Sequence, residues 1–143
     1  MEVVSKSLKN TEEAAKIFIE KLLPKKTGAT AVGLSGNLGS GKTAFVQVCA
    51  KILGIKETLT SPTFVIIKKY SIPKSSFSNL YHIDAYRLKS GEELKKLNWE
   101  EISSDSKNLI FIEWPENVSG AIPKNAFKIA FEFIDENTRK ITF

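Results

Sequence analysis

Residues Gly36, Asn37, Leu38, Gly39, Ser40, Gly41, Lys42 and Thr43 satisfy the spacing G-x-x-x-x-G-K-[ST], the pattern of a loop that holds nucleotide phosphates. The glycines let backbone N–H groups turn inward around the β- and γ-phosphates. Lys42 brings a point charge to the same oxygens, and the Thr43 hydroxyl can ligate Mg²⁺. With Ala44, the next residue of the following segment, this stretch is the expected phosphate cradle. The alternative is a glycine-rich turn without a ligand, and the flanking elements weigh against it. Thr30–Leu34 reads as a short buried strand, and Thr43–Leu53 as a helix ended by Gly54. The loop therefore joins a strand to a helix N-terminus, where free N–H groups and the helix dipole favour an anion.

Such a loop hydrolyses nothing unaided: the metal needs a carboxylate besides Thr43, and a water needs orienting near the γ-phosphate. Two acids stand at strand ends. Glu113 follows the apolar run Leu109–Ile112, and Asp84 closes Leu80–Ile83. Lys42, Asp84 and Glu113 are thus the expected catalytic groups, with Thr43, Glu113 and Asp84 at the metal. Between loop and Asp84 lies the hydroxyl-rich turn Thr60–Phe64. Turn chemistry accounts for it fully; as a switch segment, Thr60, Ser61 or Thr63 would sense the γ-phosphate or the metal. His82 reads as a hydrogen-bonded packing residue with a supporting role.

The elements that must position these groups follow along the chain. Thr11, Glu12 and Glu13 suggest a helix start, and Ala15, Phe18, Ile19 and Leu22 give it one apolar face before Pro24. Strand formers fill Phe64–Ile72, a turn falls at Pro73–Ser76, and Asn79–Asp84 follows as an antiparallel neighbour. Ser90 and Glu93 form a capping box for a short helix through Leu97. Phe127, Ile129, Phe131 and Phe133 alternate with polar or small residues, predicting a strand with one buried face, beside which Arg139–Phe143 pairs. The sum is an α/β single domain over 1–143 of the phosphate-loop NTPase kind. It is layered, with a mixed sheet: parallel near the loop, antiparallel where hairpins are added.

Composition narrows the function. The chain has 143 residues, 42% apolar and 26% charged, which suits one globular domain with a sizeable core. No apolar run is long enough to span a bilayer and the N-terminus lacks a secretory h-region, so a cytoplasmic location is expected. A single cysteine, Cys49, excludes an internal disulfide. The net charge of +5 is concentrated before residue 76, in the half bearing the loop, but no RNA-binding motif accompanies it. Only two arginines occur, Arg87 and Arg139, which argues against an arginine-rich lid closing over a second substrate.

The loop at 36–43, Thr60-Ser61-Pro62-Thr63-Phe64, the run Leu80–Leu88 with its H-x-D-x-Y-R pattern, and Glu113-Trp114-Pro115 occur together in an order and spacing that resembles the bacterial TsaE (YjeE) family across nearly the whole chain. The resemblance implies an ATPase needed for the threonylcarbamoyl modification of adenosine 37 in tRNAs reading ANN codons. It would work with TsaB and TsaD and meet tRNA through that assembly. It also implies that Lys42 holds phosphates, Thr43 and Glu113 ligate Mg²⁺, and Asp84 acts at the metal or the water. Thr11 would lie near the adenine, Trp114 beside the site, and Arg139 would match a nucleotide-contacting basic residue. Asn37 departs from the acidic residue usual there in the family, which removes a negative charge near the phosphates. The absence of an N-K-x-D guanine motif agrees with ATP. Two other readings use the same groups: a small-molecule kinase, and a nucleotide-sensing module that never activates water.

Overall fold

Thr30–Ser35 is uncharged and buried in all but its last residue, as a strand with neighbours on both sides must be. The computed structural model, which describes residues 1–60 and 65–143, places it as β2 at the centre of a seven-stranded sheet. The other strands are β1 Glu2–Ser5, β3 Ile67–Ser71, β4 Asn79–Asp84, β5 Asn108–Glu113, β6 Phe127–Asp135 and β7 Thr138–Thr142. Their order is β1-β7-β6-β2-β5-β4-β3. The pairs β2–β5, β2–β6 and β4–β5 are parallel; β3–β4, β6–β7 and β1–β7 are antiparallel. This is the mixed α/β sheet expected from the sequence, with the parallel part around the phosphate loop.

Helices α1 Leu8–Glu20 and α2 Lys42–Ile52 cover one face; α3 Gly91–Lys95, α4 Trp99–Ser104 and the 3-10 turn Pro115–Val118 cover the other. Alternation along β5 serves both layers. Leu109 and Phe111 join Phe18, Phe45 and Phe131 beneath α1 and α2, while Ile110 and Ile112 join Leu94, Trp99 and Val118 on the opposite side. Each fully buried side chain of this size contributes roughly 1.5–3 kcal/mol. Because β2, β4 and β5 run parallel, all three end on one edge of the sheet. That edge receives the phosphate loop, Asp84 and Glu113.

Several boundaries differ from expectation. The first helix starts at Leu8, not Thr11: Ser7 is the N-cap and accepts from the Asn10 amide, leaving Thr11 in the first turn. The strand expected from Phe64 begins at Ile67, because Ile66 takes φ 68°, a left-handed conformation that breaks the ladder. Residues 61–64 lie outside the described residues. On β6 only Ile129 and Phe131 are buried; Phe127 is 38% exposed with its ring edge-on to Phe18 of α1 at 6.0 Å, and Phe133 is 50% exposed. Phe133 instead lies under the Arg139 guanidinium, 4.5 Å away. Strand β1 and helix α4 are additions to the sequence reading.

Candidate functional site

Gly36 leaves the end of β2 at φ 149°, and a Cβ there would stand 2.6 Å from the Phe131 carbonyl and 2.7 Å from Ser40 Oγ. Only glycine lets the loop turn so close to β6. Asn37, Leu38 and Gly39 are exposed, Ser40 is buried, and Gly41 at φ 104° opens α2. No acidic residue of α2 itself occupies its first turn. The Ser40 hydroxyl is buried and has no hydrogen-bond partner among the described residues, an orphan polar atom within the cradle.

The Lys42 side chain is held from three sides. Its ammonium donates to the carbonyl of Gly36 and, at 3.0 Å, to that of Asn37, and lies 4.3 Å from the centre of the Trp114 ring. Burial lowers its pKa from the ordinary lysine value, opposed by the negative charges of Glu113, Glu116 and Asp84. One residue along, the Thr43 hydroxyl donates to Glu113, 2.9 Å from each carboxylate oxygen. Glu113 is 4% exposed, and its Oε2 stands 2.6 Å from Nε2 of His82, which is fully buried.

Asp84 faces Glu113 across the β4–β5 ladder. Burial raises its carboxyl pKa most; Glu113 raises it further, while the Tyr86 amide, His82 and Lys42 lower it. Trp114 leaves β5 at φ 61°, and its ring lies 5.1 Å from that of Tyr86. The Asn117 amide ties the two loops together by donating to the carbonyls of Ala85 at 3.0 Å and Tyr86 at 3.3 Å. On the other side of the loop a cavity of about 320 Å³ is bounded by Thr11, Ser40, Gly41, Ala44 and Arg139 among others. Arg139 donates to the carbonyls of Asp135 and Thr138 in its own hairpin.

The sequence-predicted residues therefore fall into two adjoining groups. Lys42, Thr43, Asp84, Glu113 and Trp114 gather at the strand ends, and Thr11, Ala44 and Arg139 line the neighbouring cavity. Thr63 lies outside the described residues. His82, Glu116 and Asn117 belong to the site as well. For His82 a signal was available: in a strand, H-x-D puts His82 and Asp84 on one face.

Among the described residues no group of three or more His, Cys, Asp and Glu could hold a metal by itself. Mg²⁺ needs less, since it commonly uses one or two carboxylates and completes its shell with water and phosphate oxygens. The donor set here fits that mode. Thr43 directs its proton at Glu113 and keeps its oxygen lone pairs free, next to a cradle with an unpartnered hydroxyl.

A parallel strand feeding a glycine turn and a helix, with a hydroxyl and a carboxylate below it, defines a nucleotide-binding α/β protein of the phosphate-loop class. The profile of the family described as "Threonylcarbamoyl adenosine biosynthesis protein TsaE" matches residues 5–141, and the chain belongs to that family. Similar proteins carry the name "tRNA threonylcarbamoyladenosine biosynthesis protein TsaE". That of Rickettsia prowazekii is 37% identical over 93% of this chain and 87% of its own length. That of Treponema pallidum is 33% identical over 99% and 98%, and that of Bacillus subtilis 33% over 86% and 77%. The crystal structure of Bacillus subtilis YdiB has the same fold, with a TM-score of 0.73 and 23% identity, covering 99% of this chain and 82% of that one.

Proposed function

We propose that this chain is a Mg²⁺-dependent ATPase that serves threonylcarbamoylation of tRNA adenosine in the cytoplasm, acting with TsaB and TsaD and meeting tRNA through that assembly. The pathway follows from the family; the chemistry rests on the site. The observation that carries it is Thr43 donating to both oxygens of Glu113 at 2.9 Å, one residue from Lys42 at the start of α2. Amides of the Gly36–Thr43 loop and the Lys42 ammonium bind the β- and γ-phosphate oxygens. Thr43 and Glu113 hold the cation, which when bound would neutralise charge building on those oxygens. Asp84, the register partner of Glu113, would orient the attacking water or a water on the cation. Trp114 covers Lys42 and limits solvent there. Thr11, Ala44 and Arg139 line the space for the nucleoside. Thr63 remains part of the proposal as a phosphate-sensing hydroxyl.

Phosphate release from Mg·ATP, measured for the protein alone and with TsaB and TsaD, tests the reading. Free phosphate that increases with the partners is expected. Phosphate transferred to a small acceptor would make the protein a kinase, and nucleotide binding with no product under either condition would make it a sensor.

A further inference from the structure

His82 is the chain's single histidine and lies on β4 with no solvent exposure, and among the described residues its ring makes one hydrogen bond, to Glu113 Oε2 at 2.6 Å. Its other ring nitrogen, Nδ1, has no partner among the described residues. Across the ladder its register neighbours are Phe111 on β5 and Lys68 on β3. A side chain that merely filled this space would be cheaper as leucine or phenylalanine, because a buried imidazole with one nitrogen unsatisfied carries a desolvation cost. The pairing with Glu113 gives that cost a purpose.

The proton's location follows from the same asymmetry. An N–H at Nδ1 would be a buried donor with no acceptor, whereas a carboxylate oxygen faces Nε2. The imidazole therefore has a proton on Nε2 and donates it to Glu113. Glu113 then receives two donors, the Thr43 hydroxyl and the His82 N–H. Both fix the rotation of one carboxylate about its side-chain axis.

We propose that His82 is a positioning residue for the cation site: its Nε2–H pins Oε2 of Glu113, so that the carboxylate keeps the Thr43 proton and presents its remaining lone pairs to a divalent cation. This rests on the reading that Thr43 and Glu113 hold a cation. Groups that orient a metal ligand from outside typically change metal affinity by about 10- to 100-fold when removed.

The test uses the whole chain and two readouts. In the first, Mn²⁺ binding to the ADP complex is followed by electron paramagnetic resonance, beside ADP binding in chelator, for the native protein, His82→Leu, His82→Gln and His82→Asn. A glutamine amide can reach where Nε2–H stands and an asparagine amide falls short. The Leu and Asn variants should weaken Mn²⁺ about 10-fold or more, with metal-free ADP affinity within about twofold, and Gln should restore most of the loss. Should His82→Leu fail to fold, the Gln and Asn pair carries the comparison. In the second, the imidazole nitrogen spectrum, free of assignment ambiguity with one histidine, should show a proton on Nε2 in the metal-free protein. Equal Mn²⁺ affinity in Gln and Asn, a parallel loss of metal-free ADP binding, or an Nε2 without a proton would overturn the proposal. A native protein that binds ADP with no Mn²⁺ site would instead defeat the underlying cation reading.

Discussion

Asp84 and Glu113 are register partners on adjacent parallel strands, and both look onto the ammonium of Lys42. Two acids on one sheet edge repel each other, and burial adds to the cost of ionising Asp84. Its pKa is raised in the folded state, so its contribution to stability is complete while protonated and is lost as the pH rises through the folded value. At neutral pH the ionised group opposes folding. In chelator, Asp84→Asn should raise Tm at neutral pH, and the gain should fade as the pH falls and vanish only below the ordinary carboxylate value of about 4. The Tyr86 amide keeps an acceptor in the variant, so thermal melts across this range isolate the charge.

Lys42→Ala removes the one ammonium within the loop. A hydrogen bond to a charged group contributes about 1.5–3 kcal/mol, so ATP affinity should fall by roughly 10- to 150-fold. Titration calorimetry measures this directly. An unchanged affinity would remove Lys42 from the phosphate site.

Glu113→Gln replaces an acceptor-only group with one that carries a donor, directed at either Thr43 or His82. The Mg²⁺ concentration for half-maximal phosphate release should rise by at least the 10- to 100-fold seen when an outer partner of a metal ligand is lost. The dependence of rate on Mg²⁺ at saturating ATP reads this out.

Gly36→Ala forces a Cβ to within 2.6 Å of the Phe131 carbonyl. Overpacking of this kind costs about 1–3 kcal/mol. A lowered denaturation midpoint with an unchanged urea slope is expected, together with weaker nucleotide binding. A variant as stable as the parent would mean that the loop leaves β2 by another path.

Cys49 is fully buried in α2, and burial pushes its thiol pKa far above the ordinary value. Iodoacetamide should leave the native protein unmodified and label one site after denaturation. Rapid labelling under native conditions would contradict the packing of α2 on the sheet.

The central sheet was readable because its strands are short apolar runs that need partners on both sides; Asn79–Asp84 was predicted with the bounds that the structure has. Strand β1 was not readable. Four residues with one buried position carry no apolar run, and their pairing with β7 joins the two ends of the chain. The start of α4 was hidden by Asn98 in a left-handed conformation, a choice set by tertiary context. At the site, motif spacing located Lys42, Thr43, Asp84, Glu113 and Trp114, because each is attached to a recognisable strand end or helix start. The H-x-D pattern marks His82 as a hydrogen-bonded residue on the face of Asp84, but spacing does not express its partner, Glu113 on another strand, nor the reach of Asn117 to the carbonyls of Ala85 and Tyr86.

The stacking of the Lys42 ammonium on Trp114 also supplies an optical handle. The chain has two tryptophans, and Trp99 is 4% exposed with its indole N–H fixed on the Ala121 carbonyl at 3.1 Å. Any anion that draws the ammonium off the Trp114 ring alters the emission of one indole, while the other stays constant as an internal standard.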